Sequence, residues 1–171
     1  MGWILGRIKG CRENRFYRAA TFNRYAQFFF KTGPYPMKNK FILELSDVKA
    51  MATAAEEQAL NNNWAVSIAI VDDGGHLLWL QRLDGAPPVS ASIASAKANT
   101  AALGRRESKV YEDVINGGRM SFLSAPDIKG LLEGGVPVMK DGQCLGAVGV
   151  SGVKSSEDAQ VARAGIAAIG L

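Results

Sequence analysis

Apolar positions recur at helical spacing early in the chain: Val48, Met51, Ala52, Ala55 and Ala59 fall on one face of a predicted helix. Ser46 followed by Asp47 predicts its start, because a serine oxygen can accept the free N–H groups of a first turn. Asn61-Asn62-Asn63 ends it. The period then changes from helical to alternating. Trp64 to Val71 is rich in β-branched residues, with Val66, Ile68 and Ile70 on one face of a predicted strand. Asp72-Asp73-Gly74-Gly75 has hairpin-turn composition, and His76 to Arg82 reads as the returning strand. Alternation sets His76, Leu78, Leu80 and Arg82 on one face of it, with Leu77 and Trp79 opposite.

Asp84-Gly85-Ala86-Pro87-Pro88 breaks the strand, and a helical, alanine-rich segment follows from Ser90 to about Leu103. Its small side chains allow another element to pack very close. Ser108 is placed to cap a short helix through Val114, stopped by Asn116-Gly117-Gly118. "RMSFLSAPDIKGLLEG" has no clear period. Residues 134–152 predict a second hairpin turning at Asp141-Gly142. Ser155 or Ser156, with Glu157 and Asp158 behind it, starts a C-terminal helix whose acids suit the helix dipole. Hairpin-connected strands between helices imply an antiparallel sheet with helices packed on it, a single α+β domain.

Charge divides the chain differently. Residues 1–36 hold seven Lys/Arg against one acid, Glu13, whereas residues 37–171 hold thirteen bases against fifteen acids. The basic stretch also carries nine of the fourteen aromatic residues and ends in the breakers Gly33-Pro34-Tyr35-Pro36. It reads as an N-terminal extension to a domain at 37–171. A membrane-surface helix or a targeting leader would account for it; so would a native start at Met37. The mildly acidic remainder does not indicate a nucleic-acid-binding core.

No run of about 18 apolar residues is present to span a membrane, and "WIL" is too short for a secretory signal. Cys11 and Cys144 form no C-x-x-C pair, and His76 is the one histidine, so no zinc set assembles by the usual spacings. A reduced, cytoplasmic protein is the expectation.

Familiar catalytic motifs fail. Gly146, Gly149 and Gly152 make neither a dinucleotide fingerprint nor a Walker loop, and Ser151 is not in a G-x-S-x-G elbow. His76, Arg82, Asp84 and Lys97 remain as polar residues in apolar surroundings. His76 is either a turn-flanking residue or a ligand. Arg82 and Asp84 form either a local ion pair or part of a site. Lys97 either reaches solvent past its small neighbours or meets carboxylates of a ligand.

The succession "VDDGGHLLWLQRLDGAPPVS", "AxxKAxTA" (Ala94 to Ala101), "GGVPV" and "GAVGVSG" resembles the GlcG/HbpS-like family, in order, from about Met37 to Leu171. The matching positions are Gly75, His76, Asp84, Gly85, Lys97, Thr100, Gly134, Gly135, Pro137, Gly146, Gly149 and Gly152. The resemblance implies a profilin-like α+β fold, an antiparallel sheet flanked by helices, and a homo-oligomer. Some members bind haem. Related domains end PduO-type corrinoid adenosyltransferases, and others are encoded near genes for glycolate use or cobalamin-dependent diol and glycerol dehydratases.

Carried onto this chain, the resemblance implies a small-molecule site for a tetrapyrrole. It would draw on His76, Arg82, Asp84, Lys97, Thr100, Gly134 and Gly135, without clear catalytic machinery. His76 would ligate haem iron, Arg82 or Lys97 would pair with propionates, and Tyr111 ranks below His76 as a ligand. The alternatives are an accessory protein with a dehydratase-system partner, an enzyme acting on a small oxygenated acid, and an oligomerisation module. One departure concerns metal: Glu56 and Glu57 are adjacent rather than an E-x-x-E pair, which argues against a surface iron site of that kind.

Overall fold

A computed structural model describes residues 37–171, so the expectations for the N-terminal extension lie outside the described residues. Helix α1 spans Leu45–Asn61, β1 Ser67–Asp72, β2 Leu77–Arg82, α2 Pro88–Gly104 and α3 Lys109–Asn116. After a 3-10 turn at Met120–Ser124 come β3 Gly135–Lys140, β4 Gln143–Ser151 and α4 Ser155–Ala167. The strands form one antiparallel sheet in the order β2-β1-β4-β3. The α+β, antiparallel-sheet expectation holds.

Helix ends differ in detail from the sequence reading. The start of α1 is set by Asp47, whose carboxylate accepts the Glu44 N–H at 2.9 Å, so the helix begins at Leu45 and Ser46 is inside it. Glu157 does the same for α4 by accepting the Lys154 N–H at 3.2 Å. Ser108 precedes α3 as expected but does not cap it. Its hydroxyl donates to Leu132 O at 2.5 Å and accepts the Gly135 N–H at 2.8 Å, tying α3 to the start of β3.

The central strands β1 and β4 are buried on both faces. One face carries Ile68, Ile70, Val148 and Val150 against Val48, Met51, Ala55, Val161 and Ala162 of α1 and α4. Burying each of the larger side chains contributes about 1.5–3 kcal/mol. The other face is built of small residues: Ala69 and Ala147 meet Ala94, Ala98, Ala101 and Ala102 of α2. A Cβ on Gly149 would come within 2.5 Å of the Ala98 backbone nitrogen. The alanine-rich helix therefore lies very close to the sheet, the packing its composition predicts.

Beta strand β2 is an edge, and a bulge shifts its phase. Ile70 pairs with Trp79 but Val71 pairs with Leu77, so one extra residue sits at Leu78. Strict alternation placed Leu77 away from the His76 face. The bulge instead sets it beside Val71, at the turn end of the hairpin.

Candidate functional site

The β1–β2 turn is organised by one carboxylate. Asp72 ends β1, and its Oδ1 accepts the N–H groups of Gly74 at 2.9 Å and His76 at 2.8 Å. Gly75 supplies the positive φ of +80° that the reversal needs. The second carboxylate oxygen, Oδ2, lies 3.1 Å from His76 Nδ1. Slight burial pushes the Asp72 carboxyl up, but the hydrogen bonds from His76 and Gly74 outweigh it, leaving it below the ordinary carboxylate range. An ionised carboxylate accepts, so its partner Nδ1 carries the proton. In the neutral imidazole the free lone pair then belongs to Nε2.

That ring stands on the rim of a cavity of about 630 Å³ between the hairpin turn and one face of α2. Val71, Leu77, Ala96 and Leu103 supply its apolar wall. Asn99 donates from Nδ2 to Gly75 O at 3.2 Å, fixing the turn to α2 across the cavity. Asp127 and Lys129 border it from the segment before β3. The His76 side chain is 81% exposed, so the ring is largely uncovered among the described residues.

The other residues singled out by sequence do not gather here. Arg82 and Asp84 lie at the far end of β2; six residues at about 3.3 Å each separate Arg82 from His76 by roughly 20 Å. No ion pair among the described residues joins them to each other. Asp84 lines a different cavity, with Trp64 and Glu56.

Lys97 neither reaches solvent nor faces the cavity. It is 2% exposed, and its Nζ donates to Asp158 Oδ2 at 2.8 Å and Val150 O at 3.0 Å. The pair joins α2, β4 and α4. Burial pushes the Asp158 carboxyl up, more than the Lys97 ammonium pulls it down. Gly134 and Gly135 are buried over this lysine: a Cβ on Gly134 would sit 2.8 Å from Nζ, and one on Gly135 would run into the Lys97 carbonyl. Thr100 is fully buried and accepts the Gly130 N–H at 3.1 Å. Tyr111 is buried against Phe122, with ring centroids 5.6 Å apart, under the Arg106 guanidinium.

Sequence reading missed Asp72, Asn99 and Lys129. For Asp72 a signal existed, since an aspartate opening D-D-G-G-H is placed to hydrogen-bond the backbone two residues on. Asn99 and Lys129 come from separate elements, and only the fold brings them to the turn.

A family model described as "Haem degrading protein HbpS-like" matches residues 43–167. The chain belongs to the HbpS-like family. Protein GlcG of Escherichia coli strain K12 is 56% identical over 115 residues, covering 67% of this chain and 85% of that protein. A double mutant of HbpS from Streptomyces reticuli superposes with a TM-score of 0.71 at 31% identity, over 79% of this chain and 92% of that one. The PduOC:heme complex superposes with a TM-score of 0.68 at 27% identity, over 75% of this chain and 95% of that one. The HbpS-like match contains the turn, the cavity and every candidate residue described above.

Proposed function

We propose that this HbpS-like domain binds haem in the cavity beside the β1–β2 turn, with Nε2 of His76 as the iron ligand. The observation that carries the reading is the Asp72–His76 pair on the rim of a 630 Å³ cavity. A carboxylate on the distal ring nitrogen fixes the tautomer and raises the basicity of a metal-binding imidazole. The volume lies within the roughly 300–1,000 Å³ usual for ligand pockets, and Val71, Leu77, Ala96 and Leu103 would give a macrocycle apolar surface. Lys129, on the border of the same cavity, takes the part in pairing a propionate that sequence gave to Arg82 or Lys97. The bound haem would supply an iron centre; the chain's own residues orient the imidazole and shape the apolar wall.

The reading is of a binding protein. Ser95, the hydroxyl on the wall, donates to Ala91 O at 2.9 Å, so it is not poised on His76 as a nucleophile. Exposed Leu78 and Leu80 on edge strand β2 favour a homo-oligomer, since a second copy would remove them from water. Titrating haem into apo protein tests the assignment. The wild type should give a saturable shift of the Soret band, and His76→Ala should lose most of the affinity. A variant with the wild-type spectrum and affinity would remove His76 as the ligand.

A further inference from the structure

Asp84 opens onto a second cavity, at the opposite end of the β1–β2 hairpin from His76. It encloses about 360 Å³ between Glu56, Leu60, Asn63, Trp64, Leu83 and Asp84. Leu83 and the half-buried Trp64 pack into the main core, so this wall is held in place. The positive φ of Asn63, +56°, turns the chain sharply out of α1. The Trp64 backbone N–H then donates back to Ala59 O at 2.9 Å, which holds that stretch of backbone against the helix end.

Three independent features give this cavity one sign. Glu56 and Asp84 are carboxylates, and neither belongs to an ion pair among the described residues. The wall contains no lysine, arginine or histidine. Helix α1 ends here with no basic residue in its last turn, so no cationic side chain of the helix offsets the negative end of its dipole. Trp64 adds an indole, whose face attracts cations, and Leu60 and Leu83 add apolar contact. Among the described residues no group of three or more His, Cys, Asp or Glu is arranged to hold a metal ion. The chemistry fits an organic cation with an apolar body, not a bare ion.

We infer that this cavity binds a small organic monocation, an aliphatic amine or a quaternary ammonium. The two carboxylates neutralise its charge, and Trp64 packs against its methyl or methylene groups. The inference does not depend on haem binding at the other end of the hairpin.

Tetramethylammonium chloride and n-butylamine hydrochloride are the probes, titrated calorimetrically into the full-length protein. Sodium chloride at equal ionic strength and tert-butanol serve as controls. Saturable binding of the cations, absent for both controls, is the expected result. Asp84→Asn and Glu56→Gln should each weaken it severalfold, and Trp64→Leu should weaken the quaternary ion most. His76→Ala should bind the probes as the wild type does, which separates this site from the haem reading. Circular dichroism and thermal melts establish that each variant is folded. Absence of saturable binding, or equal binding by the Glu56→Gln/Asp84→Asn double variant, would overturn the inference.

Discussion

Two base–carboxylate pairs sit on opposite sides of α2's neighbourhood, and they behave as opposites. His76 and Asp72 meet at 3.1 Å on an exposed turn, while Lys97 and Asp158 meet at 2.8 Å in the interior. In the first pair one ring nitrogen is engaged, and the ring lines a cavity. In the second, the ammonium is held by Asp158 and the Val150 carbonyl with glycine backbone closed over it. What distinguishes the proposed ligand from a core residue here is a ring nitrogen left without a partner among the described residues. Residue type does not decide it, and neither does membership of a shared motif.

The largest expected effect comes from breaking the buried pair. Lys97→Met should cost about 3–5 kcal/mol, because it leaves the Asp158 carboxyl buried without its partner. Urea denaturation measures this, and a loss below about 1 kcal/mol would remove the contrast with the turn. The His76→Ala change, on an exposed side chain, should stay within about 0.5 kcal/mol of wild type.

Next in size is Asp72→Asn, which keeps an oxygen for the turn but loses the charge on Nδ1. Haem affinity should fall about 10–100-fold, the usual consequence of losing the outer partner of a ligating histidine. Unchanged affinity would show that Asp72 serves the turn alone.

The two carboxylates should also respond oppositely to acid. Asp72 is held low, so its contribution is present above the ordinary carboxylate pKa of about 3.9 and is lost as pH falls through its folded value. Asp158 is held high, so the folded state keeps its proton where the unfolded chain has released it. That contribution is complete below about 3.9 and is lost as pH rises through the folded value. Denaturation midpoints between pH 3 and pH 6, an interval of about three units around 3.9, should therefore change slope in opposite senses in Asp72→Asn and Asp158→Asn. Slopes of the same sign would contradict the two assignments. The smallest effect is expected from Arg82→Ala, at the far end of β2: haem titration should match the wild type.

Much of this was legible before the fold was known. The α1 face from Val48 to Ala59, both hairpin turns and the close packing of α2 follow from local pattern, since each depends on residues near in sequence. The site was less so. His76 was visible as a candidate, but nothing in the chain around Lys97 shows that Asp158, sixty-one residues on, takes its charge. Arg82 and Asp84 looked like neighbours of His76 because they share a short block, and a six-residue strand separates them. The Leu78 bulge, which returns Leu77 to the cavity side, depends on pairing with β1 and has no local mark.

The most direct test of the account is haem binding by His76→Gly with and without added imidazole. If Nε2 of His76 is the iron ligand, the variant should lose the wild-type Soret band, and free imidazole should restore both band and affinity by filling the vacated place. A variant whose spectrum already matches the wild type, or one that imidazole leaves unchanged, would contradict it.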